Sequence, residues 1–224
     1  MSPMDTEQAR FNMIEQQIRP WEVLDSHVLQ LLAVVKREDF VPLAHRALAF
    51  VDMEIPLPPK RNPGQCMLAP KVEARLLQEL NVLKHEKVLE IGAGSGYMAA
   101  LLAHRAQRVI TLEIDSELAA TARTNLQRAG VYNAEVRVAD GAGQATADGP
   151  FDVILLSGSV AEVPTSLLAQ LKIGGRLAAI VGQEPMMRAT LVTRTGDNGF
   201  ATVQPWDTVA PRLLKFPEPS RFTF

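Results

Sequence analysis

The 224-residue chain has one cysteine, Cys66, which excludes an internal disulfide framework. Its four histidines (His27, His45, His85 and His104) are scattered and form no ligand spacing with that cysteine, so no metal is expected. An excess of charge of one sign is also missing. Lys and Arg number 23 against 25 Asp and Glu, the formal net charge is −2, and no long basic run offers a footprint for nucleic acid. No uninterrupted apolar run approaches the length of a membrane span. The polar, acidic start from Met1 to Gln8 lacks the basic-then-apolar order of a signal peptide. A soluble cytoplasmic protein without nucleic-acid or membrane partners is therefore expected. Internal repeats and low-complexity tracts are absent. The remaining composition, 47% hydrophobic and 21% charged, is ordinary for a globular chain and allows one α/β domain with a substantial core.

The stretch that organises the rest runs from Val88 to Ile91, continues through Gly92-Ala93-Gly94-Ser95-Gly96, and passes at once into a helical pattern from Met98 to Ala103. Alternate glycines let the main chain bend sharply and lie bare against a ligand, while the helix start offers unpaired N–H groups. A dinucleotide fingerprint would need a further glycine where Tyr97 stands, so pyrophosphate is not the favoured guest. Glu90, just before the turn, also suits a cation better than a phosphate. Such a turn is often only a tight corner, and its context decides the matter. A second strand, Gln107 to Leu112, ends at Glu113, where Rossmann-like folds place a carboxylate against ribose hydroxyls. A third, Ala134 to Ala139, ends in Asp140-Gly141. Three strand ends with an acidic residue or a glycine turn then share one edge of a parallel sheet, the edge where such folds bind ligands.

Elsewhere the pattern predicts an N-terminal helix from Thr6 to Ile18, capped by Asp5 and stopped by Pro20. A second helix follows from Asp25. Five prolines between Pro56 and Pro70 forbid a long helix there and favour an ordered loop over a binding site. Lys71 to Leu80 is helical, and Asp115 or Ser116 caps another helix that ends at Gly130. A fourth strand, Phe151 to Leu156, leads into Ser157, and Pro164 starts a helix to Leu171. The remainder is β-rich: Arg176 to Val181, then Thr190 to Thr195 and Phe200 to Trp206 around the turn Gly196-Asp197-Asn198-Gly199. The tail from Phe216 to Phe224 reads as extended.

Met13-Ile14-Glu15-Gln16-Gln17-Ile18-Arg19, Arg37-Glu38-Asp39-Phe40-Val41-Pro42, Gly64-Gln65, the glycine turn, Asp140-Gly141 and Gln170 to Leu177 together resemble the S-adenosylmethionine methyltransferases. Within them the chain is similar to the protein-L-isoaspartate O-methyltransferase branch, whose order these stretches follow over most of the chain. The resemblance implies an α/β, Rossmann-like sheet, mostly parallel with a C-terminal antiparallel hairpin, helices on both faces and an N-terminal helical extension. It implies a single domain, 1–224, with helices and substrate loop over 1–80 and a cofactor-binding core over 81–224.

The implied cofactor is S-adenosyl-L-methionine. Gly92, Gly94 and Gly96 would face its methionine portion, Glu113 its ribose, and Asp140, beside Gly141, its adenine amino group, with Glu90 acting indirectly. The implied acceptor is a protein or peptide carrying an isoaspartyl carboxylate; the oligomeric state is open. In the substrate loop, which includes Gln65, Cys66, Met67 and Leu68, the family's threonine falls on Cys66 and its serine on Leu68, so those two hydrogen-bonding roles do not carry over. Ser157 is placed beside the transferred methyl. The family's arginine-containing tail motif is here Val209-Ala210-Pro211-Arg212-Leu213. Glu15, Arg19 and Asp52 read equally as ion pairs or as substrate-facing groups. A carboxylate acceptor is already ionised near neutral pH, its pKa being about 4, so no catalytic base is needed. Two alternatives remain: the same scaffold with another acceptor, and a silent cofactor-binding protein.

Overall fold

The computed structural model describes residues 3–58, 64–143 and 147–218. Pro59 and Pro63 of the proline-rich stretch, and the expected extended tail from Pro219 onward, lie outside them. The first helix, α1 (Pro3–Met13), begins on proline two residues ahead of Asp5, the expected cap, which therefore lies in its first turn. It gives way to a π-helical turn at Ile14–Ile18 that carries both isoleucines into the core, and Pro20 then sits in a short 3₁₀ turn, Arg19–Trp21. Helix α2 (Ser26–Val34) is capped by Asp25, whose carboxylate accepts from the amides of His27 and Val28. The strands β1 (Ile55–Pro56) and β2 (Cys66–Met67) form a small antiparallel pair at the base of the proline-rich loop. Helix α3 (Pro70–Leu80) again opens on proline, one residue ahead of its expected start.

The main sheet has seven strands among the described residues, in the order β5-β4-β3-β6-β7-β8-β9. The glycine turn joins β3 (Lys87–Ile91) to α4 (Tyr97–Arg105). Next come β4 (Arg108–Glu113), α5 (Ser116–Arg128), capped by Asp115, and β5 (Ala134–Val138). β6 (Phe151–Val160) lies on the other side of β3, followed by α6 (Thr165–Leu168), β7 (Leu171–Gln183), β8 (Met186–Arg194) and β9 (Phe200–Asp207). β3, β4, β5, β6 and β7 pair in parallel, and the last three strands pair antiparallel. The expected hairpin joins β8 to β9, and β8 also folds back on β7.

Two lengths differ from expectation. The helix after Pro164 is a single turn, because Leu171 is drawn into the sheet opposite Phe151, where both are buried. β6 runs four residues past Leu156, because the chain near the C-terminus pairs with its end: the Ser159 amide donates to the Pro211 carbonyl (2.8 Å) and the Leu213 amide to the Ser159 carbonyl (2.9 Å).

Side chains of the central strands alternate between two cores, as a two-residue period requires. Val88, Val109, Val136 and Val153 join helices α1 to α5 on one face. Leu89, Ile91, Ile110, Leu112 and Ile154 face the other, where Leu167 of α6 and Phe216 of the C-terminal segment cover them. Strand order reverses between β3 and β6, so the loops leaving β3, β4 and β6 diverge there and leave a crevice at the carboxyl edge. The ligand-binding features are gathered at that edge.

Candidate functional site

The crevice holds a cleft lined by Gly92 and Gly94 of the turn, Glu113 at the end of β4, Gly141 after β5, Ser157 on β6, and the loop residues Gln65, Cys66 and Leu68. It therefore joins the two groups of residues read separately from the sequence. Gly92 (φ +93°) and Gly94 (φ +52°) both occupy left-handed backbone space. A side chain on Gly92 would meet Leu213 at 3.0 Å, and one on Gly94 would meet Leu57 at 3.1 Å. The turn thus keeps main chain bare where a ligand would lie.

Glu113 is 4% exposed and is held by main chain: the Gly94 amide donates to one carboxylate oxygen (2.8 Å) and the Asp115 amide to the other (3.0 Å). Each oxygen keeps a second acceptor site for a hydroxyl. Gly141 is needed for close packing, since a Cβ there would overlap Ile91. Gly96 and Asp140 stand outside the cleft lining. Gly96 (φ +85°) starts α4 with its backbone against Ala122 of α5, and Asp140 accepts from the Ala142 amide (3.0 Å) and lies 3.5 Å from the Lys215 ammonium.

Glu90 is buried within the sheet. Thr111 on β4 and Ser157 on β6 each donate a hydroxyl to it at 2.7 Å, so it ties the three central strands together. Burial outweighs those two bonds and pushes its pKa up to about 8. Together with Glu73 of α3 it lines a second, smaller cavity beneath the turn, where Met67 also lies.

Glu73 is likewise buried, and its pKa rises to about 7, although Arg37 lies 3.5 Å away and opposes the shift. Arg37, fully buried over the Tyr97 ring, donates to the Leu68 carbonyl at 2.7 Å. Leu68 therefore contributes an apolar side chain and an anchored backbone to the loop. The Cys66 thiol is pushed up to about 12 by burial and by Glu54, so it is not a ready nucleophile. Glu15 pairs with Arg19 on the surface (2.8 Å), and Asp52 pairs with Lys71 (2.9 Å).

Sequence reasoning missed two features. The buried group of Arg37, Glu73 and Tyr97 is scattered over three segments: Arg37 and Tyr97 fell in stretches singled out from the sequence, while Glu73 lay only within the expected helix from Lys71 to Leu80. The segment from Pro211 to Phe216 crosses the cleft, with Leu213, Leu214 and Phe216 all in its lining. Its signal was the motif Val209-Ala210-Pro211-Arg212-Leu213, which was noted without a position.

Residues 8–209 match the family described as protein-L-isoaspartate(D-aspartate) O-methyltransferase. The chain belongs to this family. Curated protein-L-isoaspartate O-methyltransferases support the assignment. That of Koribacter versatilis is 38% identical over 83% of this chain and 81% of its own length. That of Methanoculleus marisnigri is 39% identical over 84% of each.

The fold also agrees with solved structures. A Plasmodium falciparum protein assigned to the same activity, crystallised with S-adenosyl-L-homocysteine, superposes with a TM-score of 0.73 at 19% identity, covering 92% of this chain and 97% of its own. A second protein-L-isoaspartate O-methyltransferase gives 0.74 at 24% identity, covering 91% and 65%. The apolar Leu68 and the cationic Arg212 both line this cleft.

Proposed function

We propose that the protein transfers a methyl group from S-adenosyl-L-methionine to the carboxylate of isoaspartyl residues in proteins or peptides. The observation that carries this reading is the single cleft shared by the glycine turn, Glu113 and the substrate loop. The cleft fits the cofactor. Glu113 keeps free acceptor sites for two ribose hydroxyls, Gly92 and Gly94 offer bare main chain to the methionine portion, and Gly141 and Phe216 form apolar walls for a base. Gly96 supports this cradle by fixing α4 on α5, and Asp140 holds the loop after β5.

When bound, the cofactor supplies an activated methyl whose sulfonium leaves as a neutral thioether, so no acid is needed to expel it. The protein's part is to position the acceptor and exclude water, and proximity of this kind is worth about 7–11 kcal/mol. Among the described residues, no histidine or lysine lines the cleft. A carboxylate acceptor, ionised without help, suits such a site, whereas a phenol or an amine would need a base.

Leu68 favours a second reading, in which the acceptor is a different and more apolar carboxylate. Incubation with methyl-labelled cofactor and an isoaspartyl peptide, beside its normal aspartyl twin, distinguishes the two. Base-labile label confined to the isoaspartyl peptide is the expected result. Label in neither peptide, with methylation of another acid, supports the second reading.

A further inference from the structure

An isoaspartyl carboxylate entering this cleft meets no hydroxyl from the loop, because Leu68 and Cys66 offer shape and an inert thiol in place of hydroxyl donors. A buried carboxylate without donors is poorly held. Among the described residues lining the cleft only two carry charge, Glu113 and Arg212. The geometry points to Arg212 as the group that binds the acceptor carboxylate, with Glu218 of the same segment as its placeholder until substrate arrives. This inference rests on the proposed isoaspartyl activity and names the residue that recognises its substrate.

The backbone of Arg212 is bridged to Ser159 at the end of β6, a strand whose Ser159 is fully buried, so the root of the side chain is rigid. Its guanidinium donates to Ser159 Oγ at 3.4 Å and pairs through Nε with Glu218 at 2.7 Å. The pair is partly solvated, with the Arg212 side chain 27% and the Glu218 side chain 50% exposed, so it exchanges at little cost. A guanidinium matches a carboxylate in shape and charge, and one carboxylate already occupies it.

The cofactor also carries a carboxylate, on the methionine portion that would face Gly92 and Gly94, whereas Arg212 is paired beside Ser159 at the end of β6, the neighbour of β3 away from β4. Titration with S-adenosyl-L-homocysteine separates the two anions. Methylation converts the bound anion into a neutral ester that a guanidinium holds weakly. Glu218 can then return and displace the product.

Steady-state kinetics with an isoaspartyl peptide, together with calorimetric titration of S-adenosyl-L-homocysteine, tests this in the full chain and in Arg212→Met, Arg212→Lys and Glu218→Gln. The peptide KM is expected to rise about tenfold or more in Arg212→Met, with partial recovery in Arg212→Lys. It is expected to fall roughly two- to fivefold in Glu218→Gln. Affinity for the homocysteine product is expected to stay within about twofold throughout. An unchanged peptide KM in Arg212→Met overturns the inference. So does a loss confined to S-adenosyl-L-homocysteine, which would assign Arg212 to the cofactor. If the unaltered chain neither binds nor methylates the peptide, the isoaspartyl reading itself fails and takes this inference with it. That outcome is distinct from turnover that ignores Arg212.

Discussion

Glu90 shows how one side chain reads differently in sequence and in space. Its position before a glycine turn pointed to a cation, but the hydroxyls of Thr111 and Ser157 are its partners, and burial is its main environment. Burial lifts its pKa from the ordinary 4.5 to about 8, and that of Glu73 to about 7. The folded protein therefore keeps protons that the unfolded chain has already lost above pH 4.5. The stability due to these protons is fully present below that value and is lost as pH rises through 7 to 8. Glu90→Gln keeps the shape, its amide oxygen accepting from one hydroxyl and its NH2 donating to the other, while removing the titration. Thermal melts are expected to show the unfolding midpoint of the unaltered protein falling relative to Glu90→Gln between about pH 5 and pH 8.5. Parallel curves for the two proteins would contradict this account of Glu90.

At the scale of elements, the site is a strand edge closed by a segment that is neither helix nor part of the main sheet. The chain from Pro211 to Phe216 is anchored to β6 at Ser159 and crosses toward Asp140, with Phe216 only 7% exposed against the second core. This segment takes the place of a long helix on that face, where α6 is a single turn. Its aromatic anchor should therefore serve both stability and ligand binding. Phe216→Ala is expected to lower unfolding stability by ~3 kcal/mol, measured by urea denaturation. It is also expected to weaken S-adenosyl-L-homocysteine binding, because the cleft loses one wall. A loss of stability with unchanged affinity would show that the segment only packs.

For the whole molecule, the parts legible in advance were those in which a local pattern coincides with a global role. The apolar runs of β3 and β4, the glycine turn, the Asp25 and Asp115 caps and the last hairpin all appear where the residues put them. The position of Glu113 was legible because an apolar strand pattern ends on it and strand register carries it to the sheet edge. What was not legible depends on partners distant in sequence. Leu171 joins β7 because Phe151 lies opposite, and β6 is extended because residue 211 reaches back to residue 159. The Arg37–Glu73 pair spans two segments with no periodic signal between them. The contacts of Gly96 with Ala122 and of Asp140 with the Ala142 amide are likewise set by packing that no sequence spacing announces.

Every functional step depends on a nucleoside lying across the carboxyl edge with its sugar on Glu113. Calorimetric titration of S-adenosyl-L-homocysteine into the unaltered protein and into Glu113→Gln tests this most directly. The expected result is one site per chain in the unaltered protein and an affinity lower by about tenfold or more in the variant. No heat of binding in the unaltered chain, or equal affinity in both proteins, would contradict it.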